Sequence, residues 1–186
     1  SSDVSGLTIG KATSSADGDS DADVTIGSAT TIAGPITVYG KDIKVSKSLE
    51  STLNSAAIKL LASGDILVNA SGVSFTTQAG EVLFATDTDG SNTGGFRAES
   101  GINVQTNNAN ITIGGGDVTA SGYSRGSATN SAYREGIRLE GTLSFDSGGG
   151  DITMRGMSLT GSNNLGTSGI AIDSSTSNLT VDSGTG

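Results

Sequence analysis

The sequence predicts an all-β protein, a parallel β-helix or solenoid wound in coils of about 19 residues with projecting loops. Three observations carry that prediction. Apolar residues recur as i, i+2 pairs along the chain, the spacing of a strand with one buried face. Gly, Asn, Asp and Ser separate the pairs, as turn formers do between short strands. The pairs also return in the same order at a long interval, which marks a repeat architecture. With 29 Gly and 1 Pro in 186 residues the composition alone suggests disorder. The regular placement of the 33% hydrophobic residues argues instead for a folded chain.

The strand candidates follow in order. The first are Val24/Ile26, Ile36/Val38 and Ile43/Val45, then Ile58/Leu60, Ile66/Val68, Val73/Phe75 and Val82/Phe84. After "DTDGSNTGG" come Phe96/Ala98, Ile102/Val104, Ile111/Ile113 and Val118/Ala120. After "SGYSRGSATNSAY" come Ile137/Leu139, Leu143/Phe145, Ile152/Met154 and Met157/Leu159, and the last pairs are Ile170/Ile172 and Leu179/Val181. Four pairs and a longer polar loop make a unit.

A shift of 41 places Arg97 on Arg138, Glu99 on Glu140, Ile102 on Leu143 and Ile111 on Ile152. One unit earlier, a shift of 36 to 38 sets Ile58 against Phe96, Ile66 against Ile102 and Val73 against Ile111. Loops recur near 11–23, 47–56, 87–94, 122–135 and 161–168. Strands this short gain a core by winding into coils stacked roughly 4.8 Å apart, with alternate side chains inward. A unit near 38 residues then corresponds to two coils of about 19. Thr112, Thr153 and Thr180 should point outward, where a β-branched residue suits a strand. "SLESTLNSAAIKLLAS" also fits a helix capped by Ser48, with Leu49, Leu53, Ala56, Ala57, Leu60 and Leu61 on one face.

The charge narrows the function. Ten Lys+Arg against 19 Asp+Glu give a net charge of -9, which disfavours nucleic acid and anionic membranes as partners. No apolar run reaches the roughly 18 residues of a membrane-spanning helix. Without Cys or His, disulfides, thiolate metal sites and the usual nucleophile–base pairs are absent. The chain lacks an initial Met and ends on "VDSGTG". Residues 1–186 are therefore expected to form a single β-helical segment of a longer protein or fibre.

"SGDILVNASG", "NNANITIGGGDVTASG", "LSFDSGGGDITMRG" and "STSNLTVDSGTG" share the form Gly/Asn-Asp/Asn-Ile-Thr-apolar beside a glycine cluster. In these residues the chain resembles the filamentous haemagglutinin-like proteins, large secreted bacterial adhesins often exported by two-partner secretion. The resemblance implies a right-handed β-helix shaft, an extracellular or cell-surface location and no catalytic residues. It is clearest from residue 57 to 186. The secretion domain of that family is not recognisable here.

Candidate sites follow from charge and spacing. Asp17, Asp19, Asp21 and Asp23, and then Asp87 and Asp89, put carboxylates at every second residue, as calcium loops do. Neither loop has the closing glutamate of a hand-type site. Arg97/Glu99 and Arg138/Glu140 are expected outward, one above the other, as a carbohydrate-contacting strip or a surface ion-pair ladder. With Asp146 and Asp151 they are also the candidates for polysaccharide cleavage, which needs carboxylates flanking the bond. Tyr123 and Tyr133 share a loop in a chain of 4% aromatics and are the expected contacts for a glycan or receptor. Asn69, Asn110 and Asn178 begin glycosylation sequons, and a turn-forming Asn explains them equally. Gly148 to Gly150 lack the Lys-Ser/Thr and helix of a phosphate loop and are expected to form a corner. Three readings remain: a structural and adhesive shaft, a binding module using the loops, and a polysaccharide-active enzyme. The expected partners are a host or neighbouring-cell glycan or protein, or copies of the chain stacked end to end.

Overall fold

A computed structural model describes residues 4–11, 22–91, 93–115, 124, 135–158, 169–173, 176 and 178–184. Among them, six coils of three strands follow one another. The first is β1 (Leu7–Ile9), β2 (Val24–Ile26) and β3 (Thr30–Ile32), and the second is β4 (Ile36–Gly40), β5 (Ile43–Val45) and β6 (Leu49–Ser51). The third is β7 (Ile58–Ala62), β8 (Ile66–Val68) and β9 (Ser74–Thr77), and the fourth is β10 (Val82–Thr86), β11 (Phe96–Ala98) and β12 (Ile102–Gln105). The fifth is β13 (Ile111–Gly115), β14 (Ile137–Leu139) and β15 (Thr142–Asp146), and the sixth is β16 (Ile152–Met154), β17 (Ile170–Ile172) and β18 (Asn178–Asp182).

Each strand pairs in parallel with its equivalent one coil away, giving three six-stranded sheets. Sheet A runs β1-β4-β7-β10-β13-β16, sheet B runs β2 to β17 and sheet C runs β3 to β18. The architecture is a right-handed parallel β-helix. The inward pairs fill its interior. Ile36, Val38, Ile58, Leu60, Val82 and Phe84 of sheet A are fully buried, as are Ile66, Val68, Phe96 and Val104 of the other two sheets. All four phenylalanines lie inside. Phe75, Phe84 and Phe96 come from three different sheets and meet at the axis. The Phe84 ring centroid lies 4.8 Å edge-on from Phe75 and 5.1 Å, stacked, from Phe96. A closed wall also satisfies nearly every backbone donor along its ladders, which open sheets achieve less completely.

The smallest coil is the expected 19 residues, seen where Val24 pairs with Ile43 and Thr30 with Leu49. The shift of 41 is borne out as a register: Arg97 lies on Arg138, Ile102 on Leu143 and Ile111 on Ile152. It spans one coil with its loop, however, and not two coils. The earlier shift of 36 to 38 is corrected. Val82 pairs with Ile58, Ile66 with Phe96 and Phe75 with Val104. The connections vary in length from coil to coil, so a constant shift slips by one strand.

Strands β3 and β6 have one apolar residue each and give no alternation to notice, whereas β1, Leu7-Thr8-Ile9, does alternate and is an additional pair that the strand candidates above leave out. The helix alternative fails. Leu49–Ser51 and Ile58–Ala62 are strands of different sheets, separated by a turn where Ser55 takes φ 64°. Thr112 and Thr153 are half-buried and Thr180 is exposed, each on the outer side of its strand. Met157 lies outside any strand, and Val118, Ala120 and Leu159 lie outside the described residues.

The corner at Gly148–Gly150 is a turn, as expected. Gly148 and Gly149 have φ of 60° and 125°, and Asn108 one coil earlier has φ 58°. A Cβ on Gly149 would stand 2.8 Å from Asn108 Oδ1. Asparagine tolerates the left-handed turn in one coil, and glycine then clears its side chain in the next.

Candidate binding surface

The long connections share one corner. The links β1–β2, β10–β11, β13–β14 and β16–β17 all pass from sheet A to sheet B. At the same corner β4 reaches β5 through Lys41 and Asp42 alone, and β7 reaches β8 through 63–65. Insertion there is therefore optional for the wall. In chain order, the expected loops 11–23, 87–94, 122–135 and 161–168 all fall between a strand of sheet A and the next strand of sheet B. The expected loop 47–56 does not, since it contains β6.

Beside that corner, the outer face of sheet B forms a groove of about 310 Å³. Thr25, Lys44, Leu67 and Arg97 lie across its floor, and Asp23, Asp42 and Asp65 line its corner side. The carboxylates are tied to the wall as a ladder. Asp42 Oδ1 accepts the Asp65 backbone N–H at 2.8 Å, and Asp65 Oδ1 accepts that of Gly95 at 2.8 Å. Burial is the main reason that the Asp42 carboxyl titrates above the usual carboxylate range. The hydrogen bond from the Asp65 backbone and the charge of Lys41 oppose the shift, while the charges of Asp65 and Asp23 add to it.

The paired arginines differ from expectation. Arg97 and Arg138 occupy equivalent outward positions, but Arg97 is only 5% exposed. Its Nη2 lies 3.8 Å from Asp65 one coil below. Arg138 donates from Nε to Glu140 and from Nη2 to Asp173 at 2.7 Å, and Glu135 lies 3.6 Å from its Nη1. Burial works against the Arg138 charge, yet the Glu140 hydrogen bond and the charges of Glu140, Glu135 and Asp173 outweigh it and raise its pKa further. Both arginines of the expected strip thus make ion pairs, Arg97 with Asp65 and Arg138 with Glu135, Glu140 and Asp173. Glu99 is half-buried, and its backbone N–H donates to Val68.

The other candidates are placed as follows. Asp146 Oδ1 accepts the Gly148 N–H at 3.0 Å, and the Asp151 N–H donates to Asn110 Oδ1 at 2.9 Å. Both carboxylate residues thus serve the corner turn around the glycines. In the Asp87–Gly94 loop, Asp87 is buried with φ 57° and accepts from Ser91 Oγ at 3.4 Å. Exposed Asp89 accepts the Ser91 N–H at 3.1 Å. Asp23 is exposed at the groove. Asp17, Asp19, Asp21, Tyr123 and Tyr133 lie outside the described residues. Among the described residues no group of three or more acidic side chains is arranged to hold a metal ion. Asn69 is half-buried, and Asn110 and Asn178 are exposed.

One recurring feature is not foreseen from the sequence. Ser51, Thr77, Thr106 and Ser147 form a buried hydroxyl column at the corner from sheet C to sheet A. Thr106 Oγ1 lies 2.7 Å from Ala109 O and 2.9 Å from Ser147 O, and Ser51 Oγ donates to Gly34 O at 2.9 Å. Thr77 and Ser147 likewise donate to the carbonyls of Gly80 and Gly150. The signal was a Ser or Thr two residues past the inward residue that aligns across sheet C, namely Leu49, Phe75, Val104 and Phe145.

Fold and surface together define a β-helical solenoid with its variable connections along one edge. No protein-family model, no curated protein and no solved structure matches the chain. Among the described residues no helix is long and apolar enough to cross a membrane.

Proposed function

We propose that the chain is a non-enzymatic, structural and adhesive shaft segment of an extracellular bacterial surface protein or filament. The observation that supports this most is the shared corner of the long connections. A wall held by ladders on three sides and a continuous core is stiff along its axis. Loops inserted at one corner change the contact surface without changing the wall. That arrangement suits a rod that carries a variable binding edge. The partner in this reading is a glycan or protein on a host or neighbouring cell, met by the loops at 87–94 and 122–135, with Tyr123 and Tyr133 as contacts.

The test shortens both loops to a two-residue link like Lys41–Asp42. Binding to cells or a glycan array should be lost while the β-sheet circular dichroism and melting transition persist, and Tyr123→Ala with Tyr133→Ala should reproduce the loss. Binding retained without the loops would refute the role of this edge. Product released from a polysaccharide panel by the intact chain would favour an enzyme.

A further inference from the structure

The groove on the outer face of sheet B is built as two facing rows. Asp42 and Asp65 each stand one residue before the first inward residue of their strand, so they share a register position and lie one coil apart on the corner side. Lys44, Leu67 and Arg97 share another position, two residues further along the strands, and form the floor. Successive coils are about 4.8 Å apart and the two rows about 6.6 Å. The space above them is about 310 Å³, at the small end of ligand-binding cavities.

The acceptors are fixed by the wall itself. Asp42 Oδ1 and Asp65 Oδ1 each accept a backbone N–H of the coil above at 2.8 Å. Among the described residues, Asp42 Oδ2 has no hydrogen-bond donor. Burial and the neighbouring carboxylates disfavour the Asp42 charge, and a donor brought to that oxygen offsets both. Across the groove, the exposed Lys44 makes no ion pair among the described residues. Leu67 beside it is half-buried and apolar. Arg97, 5% exposed and 3.8 Å from Asp65, closes the far end.

This lining selects among ligands. Among the described residues no group of three or more acidic side chains is placed to hold a metal ion, and Lys44 shares the space with the carboxylates. An anion would face the Asp row, and an amine would face Lys44. A sugar hydroxyl both donates and accepts, so neighbouring hydroxyls on one ring satisfy the two rows together.

We propose that this groove binds a single ring of a neutral hexose. Asp42 Oδ2 accepts from one hydroxyl, the Lys44 ammonium donates to an adjacent one, and the C–H face of the ring rests on Leu67. Arg97 is a positioning residue that holds the Asp65 carboxylate at the end of the site. The site lies on the wall and needs neither of the loops at 87–94 and 122–135. One ring held in this way binds in about the millimolar range, too weakly to hold a cell or an array spot. Failure of the groove and failure of the adhesive reading are therefore separate results.

The test is an amide NMR titration of the full chain with methyl glucoside, methyl galactoside and methyl mannoside, and with protonated glucosamine and glucuronate as charged counterparts. At least one neutral glycoside should give saturable shifts confined to the signals of the groove, those of Lys44, Asp65, Leu67 and Gly95 above all. Asp42→Asn exchanges a charged acceptor for a neutral one and should weaken binding about fivefold, and Lys44→Met should do the same by removing the donor. Lys59→Met makes the same change of charge on sheet A, away from the groove, and should leave the affinity unaltered. The dispersion of each spectrum reports that the variant is folded. No saturable shift with any of the three glycosides overturns the proposal. So do shifts scattered over the whole surface, tighter binding of glucosamine or glucuronate than of every neutral glycoside, or an affinity unmoved in both groove variants.

Discussion

Asp42 supports Asp65 through the backbone: the Asp42 carboxylate accepts the Asp65 N–H at 2.8 Å, yet the Asp65 charge disfavours the ionised form of Asp42. Burial disfavours it more. The folded chain therefore binds a proton at Asp42 more readily than the unfolded chain does. Its stability falls as pH rises from the ordinary value of 3.8 upward through the raised folded pKa. Asp42→Asn keeps the accepting oxygen and removes the charge. The variant should lose that part of the pH dependence and gain on the parent above the window. Urea unfolding across acidic to neutral pH checks this, and parallel stability profiles would contradict it.

Arg138 pairs with Glu135, Glu140 and Asp173 at once, one positive charge among three carboxylates. Arg138→Met leaves three carboxylates facing one another on a partly buried wall, and should cost about 1–3 kcal/mol. Added salt should recover part of the loss by screening the repulsion. Arg138→Lys keeps the charge but not the planar fork and should fall between the two. Thermal melts of the three proteins at low and high salt supply the comparison.

Phe84 is the junction of the three-sheet aromatic contact, flanked by Phe75 and Phe96. Phe84→Ala opens a cavity at the axis and should destabilise the chain by about 3–5 kcal/mol. Phe84→Leu keeps most of the volume and should cost less than about 1.5 kcal/mol. In a stacked repeat each coil is held mainly by its neighbours. The alanine variant should therefore broaden the urea transition as well as move it, because the coils on either side separate.

The inward residues were legible because the strand period is two and the core is one row deep. Ile111/Ile113 and Leu143/Phe145 could only face inward together. The strand containing Leu49 was not legible, because Leu-Glu-Ser has one apolar residue and the following stretch also satisfies a helical face. Only the turn at Ser55 separates the two readings. The burial of Arg97 could not be read, since alternation tells which side of the wall a residue takes and not what lies over it. The ladder through Asp42 was not legible, since its partner is the Asp65 N–H of the next coil. The clustering of loops at one corner required knowing that a coil has three strands, where the sequence suggested four pairs to a unit.

The hydroxyl column gives the last prediction. Thr106 is 3% exposed, and its single hydroxyl proton lies between two carbonyls, one in its own turn and one in the coil above. Thr106→Val preserves the shape, strips the donor and leaves the Ala109 carbonyl without its hydroxyl partner in a buried corner, while the Ser147 carbonyl keeps the N–H groups of Ala109 and Gly150, each at 3.3 Å. An unmet buried acceptor costs about 1–3 kcal/mol. Thr106→Ser restores the donor and gives up one methyl group. If the hydroxyl matters, serine should retain most of the stability and valine should not, although valine fills the space better. If packing alone held this corner, the order would reverse. Hydrogen exchange at the Ser147 N–H, which donates to Asp182 at 3.0 Å, should quicken in the valine variant, because the column joins adjacent coils and does more than close a single turn.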